Sequence, residues 1–225
     1  MLPARPNTRA IDLRNIRTVM NSIIDDGVEC PYPFRTFKIP SEPTRHRTLP
    51  LDVLRKLLTD DSLPPRLAYF ADLFRLSFYL IGMNTVDLYQ MEEPRVGRVE
   101  YRRQKTGKLY SVKVEPEAAA IIERRRGESH YLDYSDRYVS SEALTRAVDR
   151  QLKKILPGLS MYYARHTWAT VAASIDIPVD TISRALGHSY TTGAAVTSIY
   201  IEFDTKKVDA ANRRVIDYVL YDKKD

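Results

Sequence analysis

Apolar side chains at Ile11, Ile16, Val19, Met20, Ile23 and Ile24 recur at the spacing of one helical face, which predicts a helix over 11–26. Gly27 is a stop signal for it, and Pro31 and Pro33 follow. The stretch 40–47, PSEPTRHR, is polar with two prolines and one basic cluster, the pattern of an extended linker. Helical periodicity resumes over 51–58 and again, in a long amphipathic run, over 65–80. Between 99 and 114 the period changes to alternation. YRRQ and LYSVKV read as two strands joined by the glycine-containing turn KTGK, a β-hairpin. PEAAAIIERRR then starts a helix with Pro116 in its first turn. Further helices are predicted over 141–155, 163–175, 179–186 and 205–220. The expected fold class is mainly α with a small antiparallel sheet (α+β).

Composition narrows this only a little. With 44% hydrophobic and 28% charged residues over 225 positions, the chain is of ordinary globular type, enough for one core and part of another. The longest mainly apolar stretch, 67–83, is broken by Asp72 and Arg75, so no bilayer-spanning segment is expected. MLPARPNTRA lacks the apolar run of a secretory signal. The lone Cys30 excludes a disulfide framework and a cysteine-rich zinc site, and fits a reducing intracellular setting. Lys and Arg outnumber Asp and Glu by 35 to 29, a net +6 that favours an anionic partner, nucleic acid or an acidic membrane surface.

Three segments carry candidate chemistry. In YYARHTWAT, Arg165 lies in the early turns of a helix beside the small residues Ala164 and Ala169, where its forked donors could hold a phosphate; a surface arginine is the plain alternative. In ISRALGHS, Gly187 caps a helix and His188 projects beyond it. Tyr200 follows in VTSIYIEFD. A phenol with a pKa of about 10 is a poor nucleophile unless cations and a base surround it.

ARHTWAT, ALGHS and SIY, in that order, resemble the signature of the tyrosine recombinases (phage-type integrases). RRQKTGKLYSVKV is similar to that family's lysine-bearing hairpin, and LFRLSFYLIGMNTVDL to the region of its first catalytic arginine. LRNIRTVMNSIIDDG with PYPFRTFKIP resembles the end of a core-binding domain and its linker, in wording like that of integrases from mobile elements of Bacteroides-type bacteria. The resemblance covers nearly the whole chain. It implies a remnant of the helical core-binding domain over 1–40, a linker over 41–47 and a catalytic domain over 48–225. About forty residues are too few for a core of their own, so the N-terminal piece is expected to be the tail of a larger helical domain, either truncated or docked on its neighbour.

Carried over position by position, the resemblance makes Tyr200 the nucleophile, Arg165 the second catalytic arginine, His188 the histidine of the LGH turn and Lys105 the hairpin lysine. Asp87 takes the place of an acidic support beside the first arginine. Two positions depart: Asn84 stands where the first arginine is usual, and Tyr162 where the His-x-x-Arg box has its histidine. Losing one cation at a pentacovalent phosphorane costs roughly 10²–10³ in rate, by analogy with a lost oxyanion donor. Arg103, two residues before Lys105, would share its strand face at about 7 Å. It is the candidate replacement, a general DNA-backbone contact being the alternative.

The implied chemistry is attack of the Tyr200 phenolate on a DNA phosphodiester, giving a 3′-phosphotyrosyl link that a second 5′-hydroxyl reverses, without metal, ATP or other cofactor. Lys105 protonates the leaving 5′-oxygen, and His188 donates to phosphate or helps deprotonate Tyr200. Tyr162, Tyr163 and Tyr190 are alternative nucleophiles near the motifs. Candidate phosphate contacts are Arg102, Lys108, Arg146, Arg150, Lys153 and Lys154; for the last four a solvated helix face is the alternative. The partners implied are double-stranded DNA and further copies of the chain in a tetrameric synapse, in the bacterial cytoplasm at the nucleoid, with no membrane. Two rival readings are a catalytically weakened or inactive DNA-binding relative and a type IB topoisomerase. The apolar stripe of the last helix serves either its own domain or the next protomer.

Overall fold

The computed structural model describes residues 6–42, 47–187 and 205–223. The chain divides into two compact units, Met1–His46 and Arg47–Asp225.

In the first unit, α1 (Pro6–Asp25) ends where the periodicity stops. Gly27 adopts φ +83°, and the amides of Gly27 and Val28 turn back onto the carbonyls of Ile24 (2.9 Å) and Ile23 (3.2 Å), satisfying the last carbonyls of the helix. A single 3₁₀ turn, Pro33–Arg35, follows. The Asn7 side chain accepts from the Glu42 amide (2.9 Å) and donates to its carbonyl (3.0 Å), tying the end of the segment to the start of α1. Ile11, Ile16, Val19, Ile23 and Ile24 are exposed.

The second unit is built around α3 (Pro65–Tyr79). Every residue from Tyr69 to Tyr79 is buried, as expected of a helix surrounded on all sides. Around it lie α2 (Leu51–Thr59), α5 (Pro116–Arg124), α7 (Ser141–Ile155) and α8 (Tyr162–Ser174). The apolar runs supply the core, with Phe74, Phe78, Leu144, Val148 and Trp168 inaccessible to solvent. α3 also carries charge inward. The Asp72 carboxylate, fully buried, accepts from Arg75 (3.1 Å), Arg124 (3.3 Å) and Arg125 (2.6 and 2.9 Å). Arg75 in turn donates to the carbonyls of Leu57 (2.9 Å) and Asp60 (2.6 Å), so the same network closes the C-terminal end of α2. Burial pulls the Arg125 guanidinium towards a lower pKa, but its hydrogen bonds to Asp72 outweigh this and the net shift is upward.

The sheet has two antiparallel strands, β1 (Arg98–Arg102) and β2 (Leu109–Lys113), with Val99 opposite Val112 and Tyr101 opposite Tyr110. The valines face the core and the tyrosine rings stack at 5.1 Å. The protein is thus mainly helical with a small antiparallel sheet, the expected class. The sequence pattern did not reveal α4 (Thr85–Tyr89), α6 (Asp133–Arg137) or the 3₁₀ turn, because elements of three to five residues do not complete enough turns to show a 3.6 period. α9 (Val179–Ala185) and α10 (Thr205–Tyr221) lie where periodicity placed them.

The apolar stripe of the last helix packs within its own unit. Val208, Ala211, Val215, Ile216 and Val219 of α10 are buried on α2, α8, α9 and β2 of the same unit. Asn212 locks this docking: its oxygen accepts from the Trp168 indole (2.8 Å) and its amide donates to the Tyr79 carbonyl (2.9 Å). Arg98 grips Asp209 with two bonds, at 2.6 and 3.1 Å.

One turn departs from its residue chemistry. Arg95 and Arg98 exchange two backbone hydrogen bonds of 2.9 Å around Val96 (φ +50°) and Gly97 (φ +70°), a tight hairpin turn that wants Asn-Gly. A β-branched residue at positive φ is strained, and Val96 is fully exposed, so its side chain gains nothing in return. Val96→Asn is expected to stabilise the protein by about 1 kcal/mol, raising the thermal midpoint by about 2–4 °C in a melting experiment; an unchanged or lower midpoint would show the turn is relaxed as it stands.

Candidate functional site

The site begins at the turn after α3. Gly82 (φ +71°) donates to the Ser77 carbonyl (2.7 Å), and the Ser77 hydroxyl donates to that of Met83 (2.7 Å). A Cβ on Gly82 would lie 2.3 Å from the Cβ of Arg165, so only glycine lets this turn touch the backbone of α8. Arg165 is thereby pressed against the segment that carries Asn84 and α4.

The hairpin loop closes the other side. Arg103 follows the last residue of β1, its amide bonding the Lys108 carbonyl at 2.9 Å, and its own carbonyl accepts from Thr106 (3.1 Å) and Gly107 (2.8 Å). Lys105 therefore sits in an exposed turn and not on a strand. The expectation that Arg103 and Lys105 share a strand face is corrected: strand pairing ends at Arg102, and the loop's own hydrogen bonds set the direction of both side chains. Asp87 anchors the loop, its carboxylate accepting from the Gln104 amide at 3.1 Å. The Arg103 guanidinium lies on Asn84: with the amide turned so that its oxygen faces the donors, that oxygen accepts from Nε (3.2 Å) and Nη2 (3.3 Å).

Arg165 is 9% exposed and donates to the Leu186 carbonyl. The Tyr110 hydroxyl donates to the same carbonyl (3.1 Å), and Lys108 Nζ to that of Gly187 (3.1 Å). The C-terminal end of α9 is thus held by three donors, one each from α8, β2 and the hairpin loop. Gly187 (φ +66°) has no room for a side chain, since a Cβ would fall 1.7 Å from the Tyr110 oxygen. Burial, and next the charge of Arg103, push the Arg165 pKa down, while Tyr110 and Tyr101 act the other way. Burial, with Asp87 adding, holds the Tyr101 phenol well above the usual tyrosine range.

Tyr162 opens α8 and is half-exposed. Its ring meets His166 edge-on at 4.3 Å, and the Arg47 guanidinium lies 5.2 Å from its centroid. Arg47, Asn84, Asp87, Lys105, Asp149 and Tyr162 line one cleft of about 610 Å³.

The structure therefore brings Asn84, Asp87, Arg103, Lys105, Arg165 and Tyr162 into one neighbourhood. Tyr163 is partly buried against the core. His188, Tyr190 and Tyr200 lie outside the described residues. Of the candidate phosphate contacts, Arg102 is exposed and donates to the Gly107 carbonyl (3.3 Å), while Lys108 is tied to Gly187. Arg146, Arg150, Lys153 and Lys154 are exposed on α7, away from its buried Leu144, Ala147, Val148 and Leu152. That helix also contributes Thr145 and Asp149 to the cleft. Arg47 and Asp149 were not singled out from the sequence; the basic cluster of PSEPTRHR was the only signal for Arg47.

Among the described residues no group of His, Cys, Asp and Glu is arranged to hold a metal ion, and no helix is long and apolar enough to cross a membrane. No family model matches the chain, and a search of curated proteins found no match.

Proposed function

We propose that the protein cuts and rejoins DNA strands as a tyrosine recombinase of the phage-integrase type, independent of metal and ATP. The observation that carries this reading is the placement of Arg103 and Arg165. Two guanidinium groups stand close enough for one charge to depress the pKa of the other, and among the described residues neither is ion-paired with a carboxylate. Holding like charges together beside the Asn84 turn costs stability, and a bound phosphodiester would offset that cost. Lys105 lines the adjoining cleft and has no partner among the described residues.

In this reading duplex DNA lies over the cleft, gripped through its phosphates by Arg102, Lys108 and the basic face of α7. The Tyr200 oxygen bonds to phosphorus and the P–O5′ bond breaks. The 5′-oxygen takes a proton from Lys105, and Arg165 and Arg103 hold the two non-bridging oxygens as charge builds on them. His188 donates to phosphate or accepts the phenol proton. A second 5′-hydroxyl then attacks the phosphotyrosyl link and frees Tyr200. The second unit supplies the chemistry, the first is the end of a core-binding domain, and several copies meet on DNA in a bacterial cytoplasm.

The test is covalent capture. Incubation with a pool of nicked duplexes of randomised sequence should yield a protein–DNA adduct that survives denaturant, and proteolysis should map it to the peptide carrying Tyr200. Mapping to Tyr162, Tyr163 or Tyr190 would reassign the nucleophile. Salt-sensitive DNA binding with no adduct would favour the second reading, a binding protein that has lost the chemistry, which the non-basic Asn84 and Tyr162 recommend.

A further inference from the structure

We infer that Arg47 is a phosphate-binding residue of the cleft, seated on Tyr162 as Arg103 is seated on Asn84. The inference rests on the reading above for the identity of the anion, a DNA phosphate, and on the geometry alone for the site. Asn84 and Tyr162 are the two positions that lack the expected basic group, and a guanidinium from elsewhere in the chain lies against each of them. The two imported arginines reach the region from different segments, Arg103 from the hairpin loop and Arg47 from the stretch that precedes α2.

The placement of Arg47 is built. Two residues on, the Leu49 amide donates to the Thr167 hydroxyl (3.0 Å), and the hydroxyls of Thr48 and Thr170 are 3.1 Å apart, so the segment is pinned along α8. This sets the guanidinium 5.2 Å from the centre of the Tyr162 ring. Contact with an aromatic face leaves the in-plane N–H fork of an arginine available to an anion. Among the described residues no carboxylate or carbonyl accepts from Arg47, while Lys105 and Asn84 line the same cleft. The Tyr162 ring is itself steadied by His166 at 4.3 Å. An arginine stacked at a cleft wall, with its donors unspent, suits a flanking phosphate of a bound strand.

The experiment measures binding of a fluorescent duplex across a salt series, together with adduct formation. Neutralising one phosphate contributes about 0.9 to the slope of log K against log salt. Arg47→Ala should lower that slope by about 0.9 and slow adduct formation. Arg47→Lys should restore the slope. Tyr162→Phe should leave the slope unchanged, because the ring remains, and Tyr162→Ala should lower it as Arg47→Ala does. An unchanged slope in Arg47→Ala would overturn the inference. So would a wild-type protein that binds no DNA. A lowered slope with no adduct in any variant would instead count against strand transfer and leave the Arg47 contact standing.

Discussion

Replacing Arg103 with alanine is expected to slow formation of the covalent DNA adduct about 10²–10³-fold, the cost of removing one preorganised donor from a developing oxyanion. The loss should show in the reaction and not in folding, because Arg103 does little in the fold. Its guanidinium contacts only the Asn84 amide oxygen among the described hydrogen-bonding groups, so alanine there removes charge without breaking a structural tie. The loop stays in place through Asp87 and the Gln104 amide. The fluorescence of Trp168, the one tryptophan, should be unaltered, since the ring is fully buried on α10. A sharper form of the test adds Asn84→Arg to Arg103→Ala. An arginine at position 84 would bring a guanidinium to the spot the Arg103 side chain has vacated, and should recover about tenfold or more of the lost rate. Cleavage by Arg103→Ala at the wild-type rate would remove Arg103 from the reaction and leave the position beside Arg165 without a second cation.

The largest effect on stability is expected at Asp72. Asparagine keeps the volume but removes the charge that holds Arg75, Arg124 and Arg125 together beneath α3. Breaking a buried ion pair by deleting one partner costs about 3–5 kcal/mol, because the remaining charge stays desolvated. Arg75 is the residue that cannot escape: its side chain is 5% exposed and its other donors are committed to Leu57 and Asp60. With an m value of about 2 kcal/mol/M, the urea midpoint followed through Trp168 should fall by about 2 M. A drop equivalent to less than about 1 kcal/mol, the size of a surface pair, would mean that the arginines reach water and that the network is not an anchor.

Much of this architecture was legible along the chain. The helices of 65–80, 141–155 and 205–220 announced themselves through apolar spacing over three turns or more, that of 51–58 through about two, and KTGK marked the hairpin, because these signals are local and repeated. α4 and α6 were not legible, since a five-residue helix has no period and is held by tertiary bonds such as that from the Ser135 hydroxyl to the Tyr89 carbonyl. Lys105 was misplaced on a strand face because alternation cannot tell where pairing stops. Arg47 was passed over for a different reason: a basic residue in a proline-rich stretch looks like any solvated charge until Leu49 and Thr48 are seen pinned to α8.

The identities of the charged and aromatic residues, and their order, were readable from the covalent chain, and they were enough to suggest what chemistry to look for. Which charges face one another was not. That Arg103 rests on Asn84, that Arg47 lies over Tyr162, and that Gly82 admits the backbone of Arg165 are contacts between different segments, the last two far apart in sequence. The reason is physical: local spacing dictates which face of a helix is apolar, whereas the approach of two elements depends on how all of their side chains fill the space between them.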